Sequence, residues 1–265
     1  MEKKIDIGIV NFNSSDFIEV NLLALSKLTK NDFRVFICDN GSSKNDIKRL
    51  KKISSQYNNV SLFYKKQEIN GSIGHAQALN FLLTKIEAPY GCIFDADCVF
   101  LKNDWDQILI NQINDKIKII GTQAPEPKPQ DFPIMFGVLF KTKTFKDLNI
   151  NFLPDKNVSN DATKDTGWEM REKFLKAGYL GKVIDMKSTR YYKNGPFTKI
   201  SACAEYYLNE DNQIFASHFG RGSNPFGKRY STVNIPIFSQ LINYFRWKKD
   251  KQNWIKTALS IIFKQ

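Results

Sequence analysis

Histidine is almost missing from this chain, at 2 of 265 residues, and cysteine is scarce at 4. Cys38, Cys92, Cys98 and Cys203 form no CxxC pair, so the ligand spacing of a structural zinc site is lacking. Cys38 and Cys92 lie in apolar runs that read as buried strands, as expected of reduced core thiols in a reducing compartment. No run of about 18 apolar residues occurs, which argues against a membrane-spanning helix. The opening segment is basic and then apolar, but it breaks at Asn11, too soon for a signal peptide. The expected location is therefore the cytoplasm. Helix-turn-helix, zinc-finger and RNA-recognition signatures are also missing. The net charge is +12, yet the basic residues are spread along the chain, so nucleic acid is not an expected partner.

What is present is a globular composition, with 42% hydrophobic and 25% charged residues. Apolar runs at residues 5–10, 33–38, 60–64, 92–94 and 117–120 predict strands. Helical spacing predicts helices between them. The first is carried by Phe17, Val20, Ala24, Leu25 and Leu28, with Ser14, Ser15 and Asp16 supplying cap chemistry. Others are expected over 46–53, 73–86 and 105–113. This alternation predicts an α/β fold, with a mostly parallel central sheet and helices on both faces. The proline-rich stretch 124–129 reads as a loop. We expect a first half over residues 1–130, a second over 131–230 and a helical tail over 231–265. The second half is expected to hold a strand over 135–140, a helix over 168–177 and a strand over 180–184.

Asp95-Ala96-Asp97 follows a strand and is the sharpest chemical signal. Carboxylates two residues apart can share a hard divalent cation, although two acids at a solvated turn give the same pattern. Three more strand ends are polar: Asn11-Phe12-Asn13, Asp39-Asn40-Gly41-Ser42 and Asn70-Gly71-Ser72. Together they predict one crevice at the carboxyl ends of the strands.

In this order and spacing, residues 9–13, 38–42, 70–80 and 94–97 resemble the family 2 glycosyltransferases of the GT-A fold, over about residues 4–115. The resemblance implies a GT-A, Rossmann-like sheet that binds a nucleotide-sugar donor, commonly a UDP-sugar. It places Asn11 and Asn13 along the nucleotide pocket and Asp39 on the base. It gives Gly71 and Gly74 close approach to the donor. Asp95 would face the ribose or the metal's water shell, and Asp97 would ligate Mn2+ or Mg2+. It also implies inversion at the anomeric carbon and a general base opening a helix of the second half. The matching place holds Asp165 and Glu169 instead of the usual adjacent pair, with Asp161 a weaker choice. Asp165 at a helix start is also a plain cap residue.

His218 sits before a glycine-rich basic stretch, Gly220-Arg221-Gly222-Ser223. A neutral imidazole there suits a third metal position, and Arg221 a phosphate oxygen. His75 reads as a structural or donor-contact residue. The tail interleaves aromatic and basic residues, with 8 Lys+Arg and 1 Asp over 225–265, a net of +7. Two readings of it stand: helices packed on the core with a solvated basic face, or peripheral contact with an anionic membrane surface. The second suits polysaccharide biosynthesis on a saccharide or lipid-linked saccharide acceptor at the inner face of the cell membrane. A nucleotidyltransferase of related fold is the alternative enzyme, but the loop after the first strand lacks its Gly-rich basic character. A catalytically inactive GT-A-like binding protein is the alternative outside enzymes.

Overall fold

The computed structural model describes residues 4–65, 71–155, 165–208, 213–220 and 236–265. Its first strand, β1 (Ile5–Asn11), is buried at all 7 positions. A strand covered on both faces has no solvent side, so its sequence shows no alternation. β2 (Phe33–Asp39) and β4 (Tyr90–Asp95) flank it in parallel, and β3 (Val60–Tyr64) adds in parallel to β2. The crossovers carry α1 (Ser15–Leu28), α2 (Lys44–Ser54) and α3 (Ser72–Leu83). Register pairs Asn11 with Asp39 and Val10 with Asp95, so these polar strand ends share one rim.

Beyond β4 the pairing is mixed. The next elements are β5 (Cys98–Phe100), α4 (Trp105–Ile110), β6 (Ile117–Thr122), β7 (Gly137–Lys141) and α5 (Thr142–Asp147). They are followed by α6 (Glu169–Lys176), β8 (Leu180–Ser188), β9 (Ala204–Tyr207), β10 (Ala216–His218) and α7 (Pro236–Ile262). The sheet order is β3-β2-β1-β4-β7-β6-β8-β9-β10-β5. β7 runs antiparallel between β4 and β6, while β6 and β8 are parallel. β9, β10 and β5 then extend the sheet by antiparallel pairing. The expected α/β fold is present, with its parallel character in β3-β2-β1-β4 and β6-β8. The expected helices end earlier than their apolar pattern does, at Leu83 and Ile110. The short elements β5, α5, β9 and β10 have no counterpart in the sequence reading.

Alternation sends successive side chains to opposite faces. Ile5, Ile7, Ile9, Val35 and Ile37 pack with α1, α2 and α7 on one face. Val10, Phe36, Cys38, Ile93 and Phe140 pack with α3, α5 and α6 on the other. All four cysteines are buried and none is in a disulfide. Burial pushes the Cys38 thiol up to about 11 and the Cys92 and Cys98 thiols well above the ordinary range, so these thiols are unreactive.

One buried charge anchors the N-terminal edge. Asp6 is fully buried and accepts from Arg34 Nε and Nη2, both at 2.8 Å. Its Oδ2 also accepts from the Glu87 and Ala88 amides at 2.7 and 2.8 Å. Burial opposes the charged carboxylate, but the Arg34 and backbone donors outweigh it and hold the pKa below its ordinary 3.8. A depressed folded-state pKa stabilises the fold above the unfolded pKa, and that stability is lost as pH falls through the folded value. Arg34→Ala is expected to lower stability by about 2 kcal/mol at neutral pH, because a buried carboxylate loses its cation. In urea unfolding, the gap to the parent protein should shrink as Asp6 becomes protonated. A gap independent of pH would mean that Arg34 acts through packing alone.

Candidate functional site

The rim begins with a polar knot between β1 and β2. The Asn11 amide nitrogen lies 2.8 Å from Asp39 Oδ1, 3.1 Å from Ser42 Oγ and 2.9 Å from Asp46 Oδ2. Its carbonyl oxygen accepts from the Ser14 amide at 3.2 Å. The Ser42 amide donates to Asp39 Oδ2 at 3.2 Å, which fixes the carboxylate from the other side. Asn13 holds a left-handed backbone, φ 50°, and accepts from the Ser43 amide at 2.9 Å. Asn11 and Asp39 are 0% and 2% exposed, so Asn11 lies beneath the rim, holding Asp39 in place.

The start of α1 is capped differently from expectation. Ser14 Oγ turns back to the Phe12 carbonyl and makes no cap bond to the helix, while Asp16 Oδ1 accepts from the Phe17 amide at 3.0 Å. Asp46 Oδ1, from α2, accepts from the Ser15 amide at 3.1 Å and the Ser15 hydroxyl at 2.6 Å. One carboxylate therefore ties α1 to α2 and also fixes Asn11. Sequence reasoning missed it because its partners are 31 and 35 residues away.

The second group lies one strand further along the rim. Asp95 ends β4, Asp97 follows the turn, and β5 begins at Cys98. β5 pairs antiparallel with β10, setting His218 opposite Cys98. The Phe219 amide donates to the Asp97 carbonyl at 2.9 Å. This pairing brings His218 Nε2 to 3.2 Å from Asp97 Oδ1 and 3.7 Å from Asp95 Oδ2. The Phe136 ring lies 4.2 Å from the imidazole. Trp254 of α7 donates to Ser217 Oγ at 2.9 Å, bracing β10 one residue before His218.

One donor atom each from Asp95, Asp97 and His218 lies within 4.8 Å of the others. Two carboxylate oxygens and one imidazole nitrogen suit Mn2+ well, and Mg2+ less well because of the nitrogen. The group could hold a metal ion and leave positions open for phosphate oxygens or water. Asp97 and His218 are buried, while the Asp95 side chain is 22% exposed.

A second imidazole faces the same acids. His75 Nε2, in the first turn of α3, lies 3.5 Å from Asp95 Oδ1, so each oxygen of Asp95 faces a histidine. Burial disfavours a charged His75, but the hydrogen bond to Asp95 and the charges of Asp95, Asp165 and Asp97 outweigh it and raise its pKa. Asp165 accepts from the Thr166 amide at 2.8 Å and from the Ser72 hydroxyl, with Lys128 Nζ at 3.8 Å. Burial would raise its pKa, yet these donors and Lys128 lower it. Asp165 is not a helix cap; that position belongs to Trp168. Glu169 has other partners, accepting from the Asn151 amide at 3.0 Å and Lys173 Nζ at 2.7 Å. Gly71 caps α3 at φ 76°, ψ −150°, a backbone region essentially reserved for glycine, and Gly74 is buried in the first turn. Arg221, Asp161 and Asn70 lie outside the described residues.

The sequence model of the family described as glycosyl transferase family 2 matches residues 6–164, more than half of the chain. The chain belongs to that family. Among solved structures it is similar to the mannosyltransferase PcManGT from Pyrobaculum calidifontis, described in complex with GDP-Man and Mn2+. That likeness has a TM-score of 0.54 at 13% identity, covering 69% of this chain and 55% of that one. S. aureus TarS gives a TM-score of 0.48 at 17% identity, covering 64% of this chain and 33% of TarS. This chain thus spans little more than half the length of the mannosyltransferase. No curated relative matches. The expected GT-A fold is the fold of this family 2 chain. The matched span holds Asn11, Asp39, Asp95 and Asp97 but ends before Asp165, His218 and α7.

In this family 2 chain Asn11→Ala would leave Asp39 Oδ1 and Asp46 Oδ2 without their shared donor. Loss of about 2 kcal/mol in denaturant unfolding is expected. A loss below about 0.5 kcal/mol would show that water replaces the amide.

Proposed function

We propose that this chain transfers a sugar from a nucleotide-sugar donor to a hydroxyl of a saccharide or lipid-linked saccharide, with help from a divalent cation. The observation that carries this reading is the convergence of Asp95, Asp97 and His218 one strand away from the Asn11–Asp39 knot. Only β1 separates Asp39 from Asp95, roughly 10 Å at ordinary strand spacing. A nucleoside diphosphate can bridge that gap, with its base at Asp39 and its phosphates at the acids.

In this reading Asp97, His218 and Asp95 hold Mn2+, or Mg2+, against the diphosphate. The ion would neutralise the charge that develops on the departing nucleotide. Asp39 accepts a ring N–H of the base, using lone-pair sites left after Asn11 and Ser42. With one donor already on each oxygen, a base offering a single ring N–H suits it, and uracil does so. Asn13, Gly71 and Gly74 border the donor, and Arg221 contacts a phosphate oxygen. Asp165 is our choice for the base that takes the acceptor proton, giving inversion. It is ionised at neutral pH and shares α3's first turn with His75 through Ser72. Glu169 is the less suitable acid, because Asn151 and Lys173 already occupy it. The mannosyltransferase with GDP-Man and Mn2+ supports a metal-assisted donor site of this kind. The place of action we propose is an anionic membrane surface on the cytoplasmic side.

The test is thermal shift with UDP and GDP, each with and without Mn2+, followed by turnover of the sugar nucleotide that responds. Stabilisation by UDP that requires Mn2+ is expected. Asp97→Ala should cut metal-dependent turnover by about a thousandfold or more while the protein stays folded. Undiminished turnover by the variant would overturn the role given to Asp97. Release of pyrophosphate from a nucleoside triphosphate would replace sugar transfer with nucleotidyl transfer.

A further inference from the structure

α7 is one helix of 27 residues with two different environments. In its second half Asp250, Trp254, Ala258 and Ile262 are buried at four-residue spacing. Trp254 packs edge-on against Phe17 at 5.4 Å and against Phe197 at 6.0 Å. Lys251 pairs with Asp16 at 2.7 Å, and Ser201 donates to Asp250 at 2.8 Å. This half is fixed to the body.

The turns before it are open. Leu241, Ile242, Tyr244 and Phe245 are 56%, 40%, 36% and 58% exposed, four large apolar side chains within five positions. Arg246, Lys248 and Lys249 follow, all exposed. The one acid in the helix, Asp250, is buried on the opposite side. At 100° per residue, Leu241, Ile242, Phe245, Lys248 and Lys249 fall within about 120° of one outer face. An apolar tip beside a basic collar has two halves that demand different things of a partner. One half gains by leaving water, and the other gains by meeting negative charge.

We infer that the exposed face of α7 at residues 241–249 docks on an anionic lipid bilayer, with Leu241, Ile242 and Phe245 entering the headgroup boundary and Arg246, Lys248 and Lys249 meeting lipid phosphates. The charges select this occupant. Protein interfaces are depleted in lysine at their centres, and two adjacent lysines beside the apolar cluster fit such a centre poorly. A second copy meeting this face symmetrically would bring like charges together. Spanning the bilayer is a different mode, and none of the described helices is long and apolar enough for it. Lying in the interface plane requires only one apolar face and a basic rim.

Docking there would also orient the candidate site. Trp254 holds Ser217, the residue before His218, and lies nine positions after Phe245. At 1.5 Å per residue this is about 14 Å along the helix, so the metal-ligand cluster would sit near the headgroups. That consequence rests on the sugar-transfer reading. The docking itself does not.

The experiment is co-sedimentation of the full chain with vesicles of phosphatidylglycerol mixed into phosphatidylcholine, compared with phosphatidylcholine alone, without donor or metal. Binding is expected to the anionic vesicles only, and to weaken with salt. Replacing Lys248 and Lys249 by Gln should weaken it about 30-fold, at roughly fivefold per lysine. Leu241→Ser with Phe245→Ser should weaken it at least about tenfold, with melting temperature unchanged because both side chains are exposed. Equal binding to neutral vesicles, no binding to anionic ones, or full retention by either variant would overturn the proposal. So would a dimer in solution that Phe245→Ser dissolves, or retention on nucleic acid in place of vesicles. Because neither donor nor metal is present, failure here leaves the sugar-transfer reading standing, and failure of Asp97→Ala to affect turnover leaves the docking standing.

Discussion

Three backbone pairs between β5 and β10 hold Asp97 and His218 together across 121 residues of chain. The whole Asp95–Asp97–His218 group depends on that short pairing. Asp95 and Asp97 are local to one turn, but the imidazole that meets them comes from a three-residue strand near the other end of the sequence. Such a strand has too few hydrogen bonds to hold itself. Its support comes from Trp254 on Ser217 and from Cys203, whose thiol lies 3.3 Å from Ser217 Oγ and 3.4 Å from the His218 carbonyl. α7 is therefore part of the site's frame as well as its outer edge.

The clustered acids carry a repulsion that the protein must offset. Asp95, Asp97 and Asp165 share one end of the sheet, where their charges act together on His75. Both histidines of the chain face this group, one on each oxygen of Asp95. α3 begins beside it with no acid of its own in its first turn, and Asp165 on Ser72 and Asp95 on His75 face that end instead.

The parts legible in the sequence were those whose information is local. Continuous apolar runs marked β1, β2 and β4, because burial on both faces removes polar residues from a strand. Polar residues at their carboxyl ends marked the rim, and parallel register then set Asn11 beside Asp39 and Val10 beside Asp95. β9, β10 and β5 were illegible because strands of 4, 3 and 3 residues have no period to read. The role of Asp46 was illegible for another reason: its pattern announces the start of α2, and nothing local says that it also caps α1. Asp165 looked like a cap because it precedes a helix, yet three more residues intervene before Glu169, and its side chain turns to Thr166 and Ser72.

These two kinds of legibility divide the molecule by task. The span matching the family ends at residue 164 and holds the Asn11–Asp39 and Asp95–Asp97 part of the rim. His218, Asp165 and the exposed turns of α7 all come later in the chain. On the proposed reading the earlier segments grip a nucleotide, which is a fixed chemical object, and so they carry a recognisable pattern. An acceptor and a surface differ from one enzyme to another, and the residues facing them are free to follow. On the proposed sugar-transfer reading, the acceptor is to be sought along the part of the rim between Asp165 and α7, where pattern is weakest and packing against Trp254 sets the geometry.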